Sequence, residues 1–98
     1  MLEAHLTKLC GNYFKELKRK HEGFFYQKIS DRYTSGIPDY YILFNGNTLW
    51  LELKKTGAKA RPLQEYTLKQ LRRAGAQTLV TDDFETVKRA VFSLVLHV

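Results

Sequence analysis

Apolar residues recur at two different periods along this chain, and the switches between them mark out its elements. Leu2, Leu6, Leu9, Tyr13 and Leu17 return every three or four residues, which predicts an amphipathic helix over 2–20, ended by Gly23. Residues 24–29, rich in aromatics, read as a strand, and 30–36 as a polar loop. Two β-prone runs, Tyr40-Tyr41-Ile42-Leu43-Phe44 and Thr48-Leu49-Trp50-Leu51, then flank Asn45-Gly46. That is the strongest local hairpin signal, because both central residues of a type I′ turn need positive φ. Pro62 suits the first turn of a helix over about 61–74, and Gly75 its C-terminal cap. A short strand over 76–80 follows. In Asp82-Asp83-Phe84-Glu85 we read a capping box with Asp82 as the cap, opening a helix marked by Phe84, Val87, Val91 and Leu94. The tail 92–98 also alternates like a strand, so its state stays open. The order αβββαβα implies an α/β fold with helices flanking a central mixed sheet.

The hairpin decides which side chains meet. With Asn45-Gly46 as the loop, Phe44 pairs with Asn47, Tyr40 with Leu51, and Asp39 faces Glu52. Opposed residues share a face with Cβ atoms about 4.5–5.5 Å apart. Lys54, two residues beyond Glu52, lies on that face too. A Gly46-Asn47 loop would set Asp39 against Lys54 and still keep all three together, whereas a slip of one residue would separate Asp39 from Glu52. Two carboxylates facing each other are destabilising unless something positive offsets them, and a hard divalent cation with oxygen ligands would do so. An exposed hairpin carrying ordinary charged residues is the competing reading. Glu3 and Glu16 flank the first helix's stripe on opposite sides, and spacing does not choose between them as a third acid.

Charge sharpens the picture. The 98 residues carry a net charge of +6, with 44% hydrophobic and 27% charged residues, the balance of one globular domain spanning 1–98. The cations cluster, and one cluster (Lys54, Lys55, Lys59, Arg61) begins at the proposed site, where phosphate contacts would be wanted. Arg32 and Tyr33 in the polar loop can also meet a polyanionic substrate. Cys10 is the single cysteine, so it reads as an inert helix residue and no disulfide forms within the chain. That suits a reducing cytoplasm. Residues 1–5 lack the features of a signal peptide, and the apolar stretch 90–98 is too short to span a bilayer, so no membrane role is expected. His5, His21 and His97 are too scattered for a zinc site.

The element order, with Pro38-Asp39 and Glu52-Leu53-Lys54 on adjacent strands, resembles the PD-(D/E)XK nuclease superfamily with its restriction-endonuclease-like core. It is similar in particular to the VRR-NUC domain, the virus-type replication-repair nuclease module. Ser35-Gly36-Ile37-Pro38-Asp39 matches the G-[IV]-P-D element, and Leu51-Glu52-Leu53-Lys54 the E-[LV]-K strand. Arg61-Pro62-Leu63-Gln64 matches the P-x-Q helix start, without the usual serine before the proline, and Arg72-Arg73-Ala74-Gly75-Ala76 the segment before the last strand. The resemblance implies that Asp39, Glu52 and the Leu53 carbonyl hold Mg²⁺ or Mn²⁺, with Lys54 catalytic and Gln64 supporting the site. It implies a helix-one glutamate as well, for which Glu3 matches better than Glu16. Stand-alone modules of this kind resemble homodimeric Holliday-junction resolvases of phage or prophage type. Branched or four-way-junction DNA is then the expected substrate, and hydrolysis leaves a 5′-phosphate and a 3′-hydroxyl. The apolar tail or the first helix is the candidate dimer contact, unless the tail packs on its own sheet. A monomeric flap-type nuclease and a non-catalytic basic nucleic-acid-binding module are the rival readings.

Overall fold

The computed structural model describes residues 2–29 and 36–96, and for 95 and 96 the backbone alone. Its elements are α1 (Glu3–Lys20), β1 (Phe24–Lys28), β2 (Tyr40–Phe44), β3 (Asn47–Leu53), α2 (Pro62–Arg73), β4 (Gln77–Thr81) and α3 (Phe84–Leu96). The four strands lie in chain order, β1-β2-β3-β4. The first two pairings are antiparallel, while β3 and β4 run parallel, joined by the crossover helix α2. The ambiguous tail is helical as far as Leu96. No helix among the described residues is long and apolar enough to cross a membrane.

One face of the sheet carries the core. Tyr40, Ile42 and Phe44 from β2 and Leu49, Leu51 and Leu53 from β3 are buried at alternate positions against α1 and α3. From α3 come Val87, Val91 and Leu94. From α1 come Leu6, as the spacing favoured, and Cys10 and Phe14, each one position beyond the expected Leu9 and Tyr13. Leu2 is 77% exposed, while Tyr13 and Leu17 lie on the flank, Tyr13 meeting Phe84 edge-on at 5.7 Å. The helix therefore aims its smaller and aromatic positions at the sheet and its tyrosine at α3. Phe14 sits edge-on to Tyr40 at 5.2 Å and contacts Phe24 and Tyr26. Burial pushes the Cys10 thiol up to about 11, so it stays a protonated packing residue.

Two local expectations change and a third holds. Helix α1 ends with His21 as cap, and Gly23 serves the hairpin turn instead, since a Cβ there would collide with the Asn45 side-chain oxygen. The Gly23 carbonyl accepts the Asn45 N–H at 3.1 Å, tying that turn to the end of α1. The cap of α3 is Asp83, not Asp82. Its carboxylate accepts the Thr86 N–H at 3.0 Å and the Thr86 hydroxyl at 2.7 Å, which hold its pKa below the usual carboxylate value. Asp82 instead accepts the Gly57 N–H at 3.0 Å, across the loop between β3 and α2. Gly75 does close α2. At φ 99 it donates to the Arg72 carbonyl while Ala76 donates to that of Leu71, the paired bonds of a Schellman cap.

Candidate active site

The hairpin turn sets the site. Asn45 and Gly46 take φ values of 51 and 86, and the register runs Phe44↔Asn47 to Tyr40↔Leu51. One residue further, Asp39 stands across from Glu52. Because Tyr40, Leu51 and Leu53 face the core, Asp39, Glu52 and Lys54 point to the opposite face. The ladder itself ends at the Tyr40–Leu51 pair, where the chain bends at Asp39. Where it would have continued, the Asp39 carboxylate accepts the Leu53 N–H at 2.9 Å. The approach to Asp39 is tight. At Gly36 a Cβ would lie 2.5 Å from the Thr67 hydroxyl and 3.1 Å from the Leu63 carbonyl, so only glycine lets this loop lie against α2.

Glu52 is 4% exposed, covered by α2. Its Oε2 accepts a hydrogen bond from Gln64 Nε2 at 2.8 Å and pairs with Lys54 Nζ at 3.0 Å. Gln64 is itself held, its Oε1 accepting the Arg61 N–H at 3.1 Å in the first turn of α2. No serine is needed for that end of the helix: Gln64 serves the backbone and Glu52 at once. Oε1 of Glu52 is buried with no hydrogen-bond partner. A buried carboxylate oxygen left bare costs free energy that native proteins rarely accept without a reason.

The electrostatics point the same way. Burial raises the Asp39 pKa and the charges of Glu52 and Glu3 raise it further, against the Leu53 N–H and Lys54, which lower it. Glu3 is exposed at the start of α1, one turn before Leu6, and its charge reaches Asp39. Glu16 is elsewhere, paired on the surface with Arg19 and Lys20. Among the described residues no three His, Cys, Asp or Glu side chains converge closely enough to hold a metal by themselves. The available ligand set is therefore two opposed carboxylates and the backbone, with Glu3 nearby. An unpartnered oxygen beside a second, repelled carboxylate fits a divalent cation.

Lys55, Lys59 and Arg61 are exposed on the loop after β3. That loop is anchored by Lys54 N–H to the Thr81 carbonyl at 3.0 Å and by Gly57 N–H to Asp82. Nothing in the spacing of Asp82 could have revealed that anchor, which joins positions 25 residues apart. Arg32 and Tyr33 lie outside the described residues.

A solved structure described as a VRR_NUC domain superposes with a TM-score of 0.71 over 97% of this chain and 95% of its own, at 27% identity. The chain has the VRR-NUC fold. No protein-family model matches the sequence, and neither does any curated protein. The VRR-NUC fold, a mixed sheet flanked by helices, brings Asp39, Glu52, Lys54 and Gln64 together on one face of its central hairpin.

Proposed function

We propose that the chain is a divalent-metal-dependent, structure-specific DNA endonuclease, one nuclease domain that works as a homodimer on four-way junctions. The observation that carries this reading is Glu52, with one oxygen pinned by Gln64 and Lys54, the other buried without a hydrogen-bond partner, and its charge acting on Asp39. The VRR-NUC likeness supports nuclease chemistry. Asp39, Glu52 and the Leu53 carbonyl, with Glu3 completing the set, would hold Mg²⁺ or Mn²⁺, which when bound would activate water for attack and polarise the scissile phosphate. Lys54 is held by its ion pair where its charge can offset that developing on the phosphate. Water oxygen bonds to phosphorus, the bond to the 3′-oxygen breaks, and the products are a 5′-phosphate and a 3′-hydroxyl. Lys55, Lys59 and Arg61, with Arg32 and Tyr33, hold flanking phosphates and sugars. Paired nicks in a junction call for two sites related by a twofold axis. The apolar groove of Tyr13, Leu17, Phe44 and Val91, edged by Phe92 at 63% exposure, supports a contact with a second copy.

Cleavage of junction, flap and linear duplex DNA with Mg²⁺ or Mn²⁺, run beside Glu52→Gln, tests the proposal. Symmetric metal-dependent nicks in the junction are expected, abolished in the variant while DNA binding persists. A variant that cuts at the wild-type rate would remove Glu52 from the chemistry. Cutting of flaps alone by a species that sediments as a monomer would favour the flap-nuclease reading. Binding with no cutting under either metal would leave a nucleic-acid-binding module.

A further inference from the structure

The first turns of α2 expose two large apolar side chains, Leu63 at 51%, at the edge of the site, and Tyr66 at 60%, one step further round the helix. Helical spacing puts both on one side of the inward-reaching Gln64, Leu63 at the flank and Tyr66 beside it on the solvent face. Leu63 leans on Gly36, three residues before Asp39. The Tyr66 hydroxyl accepts a hydrogen bond from Gln70 Nε2 at 3.1 Å, which fixes where the ring points. Lys69 and Arg73 follow Tyr66 at i+3 and i+7, so the ring shares its helix face with two exposed cations.

We propose that Leu63 and Tyr66 form a stacking platform for one unpaired base at a DNA branch, and so help the site select branched over continuous duplex DNA. The proposal rests on reading the site as a DNA nuclease. An aromatic face flanked by cations suits a base between two phosphates, and stacking on it needs no particular sequence. In a continuous duplex each base is covered by its neighbours, so only a base freed at a branch can offer its face. Apolar side chains inserted at such steps also hold them open. A second copy of the chain is a poor occupant for this face, because it would set Lys69 and Arg73 against like charges.

The test uses a four-way junction with 2-aminopurine at the branch, bound to Glu52→Gln protein so that nothing is cut. Stacking on Tyr66 should quench the fluorescence, and adding Tyr66→Ala should restore it. In otherwise wild-type protein, Tyr66→Ala should lower the junction-to-linear ratio of cleavage rates by about ten-fold, with Leu63→Ala weaker and Tyr66→Trp retaining the preference. Both residues are exposed, so circular dichroism should show every variant folded. Unchanged quenching and an unchanged ratio in Tyr66→Ala would overturn the proposal, as would a dimer that this substitution turns into a monomer. If the wild-type protein cuts no DNA yet the quenching depends on Tyr66, the platform stands and the nuclease reading falls.

Discussion

The two faces of the β2–β3 hairpin are closed in opposite ways. On one, Tyr40, Ile42, Phe44, Leu49, Leu51 and Leu53 meet apolar side chains from α1 and α3, and close packing serves every atom. On the other, α2 covers Glu52 with a glutamine and leaves an oxygen bare, while Asp39 is raised in pKa by its surroundings. Strand β3 shows the contrast along its own length: its start alternates between half-buried and buried, but Leu51, Glu52 and Leu53 are all buried. The apolar face stabilises the fold, whereas the polar face holds an arrangement that costs stability. A group kept at such cost is the place to look for chemistry.

Asp39→Asn should show the largest effect. It should abolish cleavage, yet raise the melting temperature of the metal-free protein at neutral pH by a few degrees. The sign follows from linkage. Because the folded pKa of Asp39 is raised, its contribution to stability is present below the unfolded value and lost as pH rises through the folded one. At neutral pH the ionised group therefore costs stability, and asparagine removes that cost while still accepting the Leu53 N–H. The gap between the two melting curves should close as the pH falls into the range where Asp39 protonates. A gap constant with pH would mean that the charge is not the cause. Cation affinity should decline on acidification, since the ligand must be ionised.

Leu51→Ala, one position away on the other face, should do the reverse. Leu51 is fully buried, and its truncation should cost about 2–5 kcal/mol of stability by urea unfolding. Cleavage per folded molecule should stay within about two-fold where the variant is still folded. If activity fell as far as with Asp39→Asn, the two faces would not be separable.

What the sequence discloses divides along the same lines. The turn at Asn45-Gly46 and the cap at Gly75 are local, each needing a few adjacent residues in a left-handed conformation, and both stand where they were expected. The turn alone sets Asp39 across from Glu52 and puts Lys54 on the same face, so the site's frame was legible from its spacing. Contacts between distant segments were not. Gly23 yields to Asn45, Gly36 to Thr67, and Gly57 is held by Asp82, each pair joined only by the way the sheet folds back. The stripe of α1 was legible only in part, with Leu6 buried as expected but Cys10 and Phe14 in place of Leu9 and Tyr13, for a related reason. Periodicity finds a helix, but the direction of its buried face depends on two partners, the sheet and α3. The cap moved by one residue because Asp82 and Asp83 are equivalent in sequence and differ only in what lies beside them.

Gln64 gives the smallest and most discriminating effect, because its amide has two roles. Oε1 accepts the Arg61 N–H at the start of α2, and Nε2 fixes Glu52. Gln64→Ala loses both, and should slow cleavage by about 10–100-fold, as for other residues that orient metal ligands. Gln64→Glu separates the two. A carboxylate can still accept the Arg61 N–H, and a negative charge in the first turn of a helix is favourable there. It cannot donate to Glu52, and it sets a second buried charge where a hydrogen bond of 2.8 Å had been. In the metal-free state two carboxylates would repel each other there, with the single charge of Lys54 beside them. Gln64→Glu should therefore be less stable than Gln64→Ala at pH 8, with the difference shrinking on acidification to pH 4. Equal melting temperatures for the two variants across that range would show that Gln64 does not orient Glu52 by donating to it, and that the polar face is closed by packing alone.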